Sequence, residues 1–313
     1  MINKSSKIYI SGHTGLVGSA VLRRLKKDGY RNILLADHKS LDLTRQQETE
    51  RFFLREKPEY VFHAAAKVGG ILANATSPAD FIYQNIMIST NIINSSYKSH
   101  VKKLINLGSS CIYPKHSKQP IREKYFMSGI LEPTNEAYAI AKISAIKLCK
   151  FYNEQFGTNY ISVMPTNLYG TNDNFDLKTS HVLPALLRKF HDARTLKRKS
   201  ITVWGTGNPR REFLHVDDLA DALVFLMQNK NYNDIGEFVN IGTGVDITIK
   251  DLAFLIKNII GYTGQIVFDT SKPDGTHQKL LDLTRLHKLG WKHSISLEEG
   301  IRSTYKWYIE HHT

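Results

Sequence analysis

The alternation of short apolar runs with longer amphipathic runs most limits how this chain can fold. Strand-like runs cover residues 7–11, 32–37, 60–65, 103–110 and 160–165, and helical patterns cover residues 16–28, 44–56, 78–98 and 136–156. Strands joined through helices pair in parallel, and the helices then cover both faces of the sheet. The sequence therefore predicts an α/β protein built on a doubly wound parallel sheet.

The pattern loosens after residue 165. Loops rich in Asn, Gly, Asp and Pro separate helical patterns near residues 182–193, 218–228, 249–260 and 297–309, and a return to the sheet is expected around residues 215–222 and 237–242. We predict a dinucleotide-binding domain over residues 1–170 plus about 213–242. A smaller α/β substrate domain is predicted over about 171–212 plus 243–313.

Charge and composition restrict the partners. The 313 residues carry 42 Lys and Arg against 29 Asp and Glu, a formal charge of +13, which favours anionic ligands. The basic residues are scattered, so we expect no nucleic-acid partner. No apolar run reaches the roughly 20 residues that span a bilayer, so no membrane partner is expected. The two cysteines lack disulfide or metal-ligand spacing, and no signal-peptide pattern opens the chain, which together predict a cytoplasmic protein without a metal site.

A glycine-rich loop, GHTGLVG over residues 12–18, joins the first strand to the first helix. Glycine permits a tight turn and a close approach of the backbone to a ligand, and free N–H groups at a helix N-terminus bind phosphate. The loop predicts a dinucleotide pyrophosphate site. Its candidate contacts are Gly12, Thr14, Gly15, Leu16, Val17 and Gly18.

The residues after the second strand leave the cofactor type open. A carboxylate such as Asp37 can accept a hydrogen bond from the adenosine ribose, which favours NAD. His38 and Lys39 follow directly, and their positive charge would favour the 2′-phosphate of NADP.

Tyr138 and Lys142 lie four residues apart, on one face of a predicted helix. An ammonium group beside a phenol stabilises the phenolate, so we expect Lys142 to lower the pKa of Tyr138 from its usual value of about 10. Ser109 ends a core strand whose carboxyl end should face the cofactor. These three residues form the predicted catalytic group.

The segment from Trp204 to Arg211 combines an aromatic face, two glycines and a guanidinium. Such groups suit an anionic nucleotide diphosphate. Arg188 and Lys189, on the preceding helix, are further candidates for the diphosphate.

Together the motifs GHTGLVG, AAAKVGG, NLGSSCIYPK, YAIAK, PTNLYG and RREFLHVDDLADA resemble the extended short-chain dehydrogenase/reductase family, in order from about Lys7 to Trp291. Within it, LGSSCIYPK and HVLPALLRKFH are most similar to the branch that converts GDP-4-keto-6-deoxy-D-mannose to GDP-L-fucose. The resemblance implies a Rossmann fold, a GDP-sugar substrate, NADP(H) and 3,5-epimerase and 4-reductase activities. It also implies a homodimer formed through the helices at residues 77–98 and 136–156.

The resemblance also implies roles for five residues. Ser109 polarises the C4 carbonyl, Tyr138 delivers the proton, and Lys142 contacts the nicotinamide ribose. Cys111 corresponds to the base that removes a proton beside the ketone, and His181 to the acid that returns one on the opposite face. A 4-keto group acidifies the hydrogens at C3 and C5, so inversion needs such a pair.

Further contacts come from the resemblance alone. The cofactor contacts it implies are Asn167 and Leu168, and the substrate contacts are Lys189, Trp204, Arg211, Asp274 and Lys279. Two positions depart from the family pattern, since Lys189 and Thr14 stand where relatives carry arginine. Lysine loses bidentate geometry, and the change at Thr14 weakens the case for NADP over NAD. A surface loop with chance charges is the alternative interpretation of residues 274–279.

Two other functions remain open at this point. The first is a C4 reductase, with or without epimerase activity, for a related GDP-4-keto-6-deoxy sugar such as a heptose, because small pocket changes accommodate one more carbon. The second is a nucleotide-sensing protein without turnover, because a fold alone does not fix function.

Overall fold

Twelve strands and eleven helices occur in the computed structural model, which describes residues 2–272 and 274–312. Met1, Pro273 and Thr313, which the predicted domain ranges include, lie outside the described residues. The strands are β1 (Ile8–Ser11), β2 (Ile33–Leu34), β3 (Tyr60–His63), β4 (Lys103–Leu107), β5 (Tyr160–Pro165), β6 (Asn167–Tyr169), β7 (Ser200–Trp204), β8 (Arg210–His215), β9 (Val239–Ile241), β10 (Asp246–Thr248), β11 (Gln265–Asp269) and β12 (Gln278–Lys279). The helices are α1 (Leu16–Lys27), α2 (Gln46–Glu56), α3 (Ile71–Thr76), α4 (Pro78–Lys98), α5 (Glu136–Phe156), α6 (Val182–Thr195), α7 (Val216–Asn229), α8 (Tyr232–Ile235), α9 (Ile249–Ile260), α10 (Thr284–Leu289) and α11 (Leu297–His312).

The large sheet has six strands in the order β2-β1-β3-β4-β5-β9, and all of its pairs are parallel. Ser11 pairs with His63, and His63 with Asn106, so the carboxyl ends of β1, β3 and β4 meet at one edge. The chain reverses its direction of progress beside β1, which opens a crevice at that edge. The predicted doubly wound parallel sheet is confirmed.

Alternate residues of each strand pack against helices on opposite faces of the sheet. Ile8 and Ile10 of β1 belong to a core shared with α1 and α7, whereas Tyr9 belongs to a core shared with α2, α4 and α5. This alternation follows from the two-residue period of a strand. Helices therefore cover both faces of the sheet and leave its carboxyl edge for ligands.

The remaining strands form smaller sheets. β8 pairs with β10, β12 and β6, and β7 pairs with β11. Helices α6, α9 and α11 surround a third core. The boundaries of the two predicted domains stay a prediction.

Some predicted elements differ from the structure. The return to the sheet expected at residues 215–222 is wrong, because β8 joins a small sheet and residues 216–229 form helix α7. β2 spans two residues instead of six, and α3, β6, β7 and β10–β12 had no sequence signal. These strands are short and depend on partners distant along the chain. None of the described helices has the length and apolar character needed to cross a bilayer.

Candidate active site

The glycine loop lies tightly against the end of β3. Gly12 has φ of +74°, and a Cβ atom there would lie 2.9 Å from the backbone of Ala65. A Cβ atom on Gly18 would lie 2.1 Å from the carbonyl oxygen of Gly12. Both positions therefore require glycine, because a side chain at Gly12 would push the loop away from the end of β3 and one at Gly18 would push the loop away from α1.

The N-terminus of α1 is suited to an anion. Its N-cap residue, Gly15, offers no side-chain cap, and its first turn contains no acidic residue. Thr14 and Gly15 are exposed, while Leu16 and Val17 are half-buried beneath them. Uncapped N–H groups and the helix dipole both favour a bound phosphate. These features fit the pyrophosphate of a dinucleotide.

Beyond β2, Asp37 is bound within its own turn. Its carboxylate accepts a hydrogen bond from the backbone N–H of Ser40 at 2.8 Å, and the bonds from Ser40 hold the pKa of Asp37 below its usual value. His38 and Lys39 are exposed beside it. The turn thus presents two basic residues to solvent, while the carboxylate already has a partner.

Ser109, Cys111, Tyr138 and Lys142 converge at the end of β4. Lys142 Nζ donates a hydrogen bond to the carbonyl oxygen of Leu107 at 2.8 Å and lies 5.6 Å from the centre of the Tyr138 ring. Ser109 Oγ accepts a hydrogen bond from the backbone N–H of Cys111 at 3.4 Å. The Cys111 thiol interacts electrostatically with Tyr138 and Lys142. The structure brings these four predicted residues into one cluster.

Burial decides the protonation of this cluster. It raises the pKa of Tyr138 and lowers that of Lys142 to about 8. Burial also raises the pKa of the Cys111 thiol, against the opposing charges of Lys279 and Lys142. The expected lowering of the Tyr138 pKa is wrong for this structure, because desolvation dominates and the ammonium group is directed to Leu107. Tyr138 is consequently a protonated phenol, which can donate.

His181 lies at the N-terminus of α6. It is the N-cap residue of α6, and its side chain makes no capping hydrogen bond. The residue as a whole is exposed, but desolvation of its imidazole lowers the pKa of His181. The backbone just before it is tied to the loop after β3, because Gly70 N–H donates to the carbonyl oxygen of Thr179 at 3.0 Å. Phe81, beside that loop, packs edge-on against Tyr138 with ring centres 6.3 Å apart. Among the described residues, no direct contact joins His181 to Cys111.

Trp204, at the end of β7, and two lysines form a second surface. The indole is 63% exposed, and Lys189 Nζ and Lys272 Nζ lie 5.6 Å and 5.8 Å from its ring centre. Lys189 also donates to the carbonyl oxygen of Thr202 at 3.2 Å. Arg188, the other diphosphate candidate, instead donates to the carbonyl of Phe175. The cation next to Trp204 on α6 is therefore Lys189.

Asp274 and Arg211 have mainly protein partners. The Asp274 carboxylate accepts hydrogen bonds from the N–H and the hydroxyl of Thr206 at 2.9 Å and 2.7 Å, which fixes the turn after Trp204. Arg211 Nη1 donates to the carbonyl oxygen of Thr276 at 2.6 Å. Lys279 is directly opposite Arg211 in the parallel β8–β12 pair. Asp274 thus shapes this surface, and Arg211 and Lys279 form a pair of cations beside it.

Asn167 and Leu168 belong to β6, which links the large sheet to β8. The side-chain amide of Asn167 donates to the carbonyl oxygen of Glu212 at 2.8 Å. Leu168 pairs with Leu214. These contacts within the chain do not test whether Asn167 and Leu168 bind the cofactor, so that contact stays a prediction.

Two buried polar residues of the strands were not predicted from the sequence. His63 lies between Ser11 and Ser89, with ring nitrogens 3.0 Å and 3.2 Å from their hydroxyls, and burial lowers its pKa to about 3. Glu212 is fully buried on β8. The only available signal was a polar residue inside an apolar strand, which does not indicate what it contacts.

The fold and the cluster at the end of β4 together define a dinucleotide-dependent oxidoreductase. Its phosphate loop, its strand-end serine and its helical Tyr/Lys pair all face the carboxyl edge of a parallel sheet. The family model described as "NAD dependent epimerase/dehydratase family" matches residues 8–242.

Comparison with individual relatives identifies a narrower group within this family. The chain is 56% identical over 310 residues to a putative GDP-L-fucose synthase 2 of Arabidopsis thaliana, covering 99% of this chain and 94% of the relative. It is 53% identical to the GDP-L-fucose synthase of Escherichia coli, covering 97% of each chain. A solved GDP-mannoheptose C4 reductase from Campylobacter jejuni with NADP bound superposes with a TM-score of 0.93 at 44% identity, over 99% of this chain and all (100%) of that one. The chain therefore belongs to the NAD dependent epimerase/dehydratase family and, within it, to the GDP-L-fucose synthases.

Proposed function

We propose that the chain is an NADP(H)-dependent 3,5-epimerase and 4-reductase that converts GDP-4-keto-6-deoxy-D-mannose to GDP-L-fucose. The observation that supports it best is the cluster of Ser109, Cys111, Tyr138 and Lys142 at one strand end. A reductase needs a proton donor there, and an epimerase also needs a base. The names of its relatives point to the same reaction.

Reduction uses Ser109 and Tyr138. NADPH, held by the glycine loop, would supply the hydride for C4 of the sugar. Ser109 donates a hydrogen bond to the ketone oxygen, and Tyr138, which is protonated, transfers its proton to that oxygen. Lys142 binds the nicotinamide ribose and keeps a positive charge next to the phenolate that remains.

Epimerisation uses Cys111 and His181. Because burial raises the pKa of the Cys111 thiol, this thiol must first lose its proton to solvent. The thiolate then removes a proton from the carbon beside the ketone, and His181 returns a proton to the opposite face. During this step Ser109 and Tyr138 donate hydrogen bonds to the enolate oxygen. Each inversion leaves one proton on Cys111 and takes one from His181, and both groups return to their starting states by exchange with solvent.

The substrate nucleotide binds the surface around Trp204. Lys189, Arg211 and Lys279 supply positive charge for the diphosphate, and the exposed indole of Trp204 offers a flat face. Asp274 acts through the turn that it fixes at Thr206. Because a lysine binds phosphate as a point charge, Lys189 adds attraction without bidentate geometry.

NADP(H) is the cofactor that the site and the relatives favour. Gly12, Gly15 and Gly18 form the pyrophosphate cradle, and a Cβ atom at Gly12 or Gly18 would fill it or displace it. The exposed His38 and Lys39 fit a 2′-phosphate. The predicted cofactor is thereby supported over NAD(H).

A Gly18→Ala variant is expected to bind NADPH at least about ten-fold more weakly. The new methyl group would lie 2.1 Å from the Gly12 carbonyl oxygen, so the loop or the helix must move. A fluorescence titration with NADPH measures the change. As control we suggest Gly129→Ala, whose Cβ atom would meet Pro114 at 3.3 Å. Equal NADPH affinity of the Gly18 variant and the native protein would contradict this cradle.

The function is tested with purified protein, NADPH and GDP-4-keto-6-deoxy-D-mannose. We expect oxidation of NADPH and formation of GDP-L-fucose. In D2O without NADPH, deuterium should enter C3 and C5 of the sugar. NADPH oxidation with the keto sugar but no deuterium entry would leave a reductase only, and no reaction at all would contradict the proposal.

The second candidate is a C4 reductase for a GDP-4-keto-6-deoxy heptose. A solved relative with 44% identity is a GDP-mannoheptose C4 reductase. The same assay with a heptose ketone separates the two, because the better substrate will show the higher kcat/KM.

A homodimer is also proposed. Helices α4 and α5 pack together and carry several exposed apolar residues. These residues are Tyr83, Ile140, Phe151 and Phe156. Burying them against a second copy would form a four-helix interface.

Both cysteines are free and buried, which is consistent with the proposed cytoplasmic location.

A further inference from the structure

The carboxylate of Glu212 joins three separate segments of the chain. Oε1 accepts hydrogen bonds from the backbone N–H groups of Thr243 and Gly244 at 2.6 Å and 2.7 Å. Oε2 accepts one from the N–H of Leu281 at 2.9 Å. The residue itself is on β8, so one side chain ties β8 to the turn after β9 and to the residues after β12.

These segments carry the proposed ligand contacts. Arg211 is the residue just before Glu212, and Lys279 lies two residues before Leu281, opposite Arg211. The main-chain oxygen of Glu212 accepts a hydrogen bond from the Asn167 side chain at 2.8 Å, which links it to the start of β6, directly after β5. The substrate cations and the large sheet therefore meet at this residue.

The burial and the hydrogen bonds of the Glu212 side chain explain why this position needs a carboxylate. Within the described residues, Glu212 is fully buried and has no ion pair, and burial raises its pKa while the backbone hydrogen bonds oppose that change. A buried carboxylate without a cation is costly unless its oxygens are hydrogen-bonded. Two N–H groups bind one side-chain oxygen of Glu212 and a third binds the other oxygen. Only a carboxylate can accept on both oxygens.

We propose that Glu212 is a positioning residue, which fixes Lys279 against Arg211 and so sets the spacing of the cations that bind the GDP-sugar. The proposal rests on the proposed function, because that function supplies the GDP-sugar. Glu212 does not touch the reacting atoms. Its effect should appear in substrate affinity, and cofactor affinity should stay unchanged.

The test is Glu212→Gln, which keeps the shape but offers one acceptor oxygen. The amide NH2 must then face either Leu281 or the turn at Thr243 and Gly244, so one connection is lost. We expect KM for the GDP-sugar to rise about ten-fold or more, because a buried N–H loses its partner. The Kd for NADPH should change less than about two-fold. Hydrogen exchange should accelerate at Leu281 or at the turn.

Glu123→Gln is the matched control. Its Oε1 accepts a hydrogen bond from Asn240 N–H at 3.1 Å, which one amide oxygen can keep, and it also lies 3.9 Å from Arg285 Nη1, an ion pair that the variant loses. We expect native KM and native exchange rates. If the Glu212 variant shows native KM, or loses NADPH affinity and thermal stability together with substrate affinity, the positioning role is overturned.

A measurement on the unaltered protein covers the case in which the variant does not fold. Saturating GDP should slow amide hydrogen exchange at Leu281, Thr243 and Gly244 together. A ligand that bridges Arg211 and Lys279 should stabilise the hydrogen bonds through which Glu212 holds these segments together. GDP that binds without slowing these three amides overturns the positioning role and leaves the proposed function intact. Absence of GDP binding contradicts the proposed function itself, and this inference with it.

Discussion

Tyr138→Phe is expected to lower kcat for ketone reduction by about 10²- to 10⁴-fold, the usual contribution of a positioned proton donor. In the proposed mechanism the phenol of Tyr138 is the proton donor, and burial keeps it protonated by raising its pKa. Phenylalanine keeps the ring and its edge contact with Phe81, so NADPH affinity should be unchanged. Stopped-flow absorbance of NADPH with saturating ketosugar measures the effect.

The control for this change is Tyr83→Phe. Tyr83 also lies on a long helix next to the sheet, but it is 63% exposed in the single chain and belongs to neither ligand surface. It lies in the proposed dimer interface, where phenylalanine keeps its ring. Its variant should keep the native rate. A Tyr138→Phe protein that reduces the ketone at the native rate would show that another group donates the proton.

Cys111→Ser is expected to lower deuterium entry at C3 and C5 by about 10²-fold or more, because a hydroxyl is a far poorer base than a thiolate near neutral pH. Reduction of a ketosugar that needs no inversion should continue. Mass spectrometry or NMR of the sugar, incubated in D2O without NADPH, measures the exchange.

Cys149→Ser provides a matched control. Cys149 is the second free and buried cysteine, and its neighbour Ser162 can bond to either side chain. The two variants differ only in which cysteine is lost. Native deuterium entry in the Cys111 variant would remove Cys111 from the role of base.

Several elements could be predicted to the residue. Residues 78–98, 136–156, 160–165 and 249–260 form a helix or strand at the predicted bounds. Each has a continuous apolar period, and the helices have clear ends, such as Pro78 at the start of α4 and Gly157 with φ of +65° after α5. Strands β6, β7 and β10–β12 carried no such signal, because their pairing comes from residues far along the chain.

The site was predictable to a similar degree. Strand order and helix spacing place Ser109, Tyr138 and Lys142 together, because both depend on local periodicity and on the rule for strand ends. The direction of the Tyr138 pKa was not predictable, because it depends on burial. The distinct contacts of Arg188 and Lys189, and the contacts of Glu212, likewise depend on backbone groups that spacing does not reveal.

The hydrogen bond at Ser109 has a consequence for how such enzymes can diverge. Ser109 Oγ accepts from the main chain of Cys111, and every amino acid except proline supplies that N–H at position 111. Mutation can therefore erase the thiol without disturbing the serine. With the roles proposed above for Ser109 and Cys111, a lineage that acquires such a change would keep ketone reduction and lose stereochemical inversion in one step.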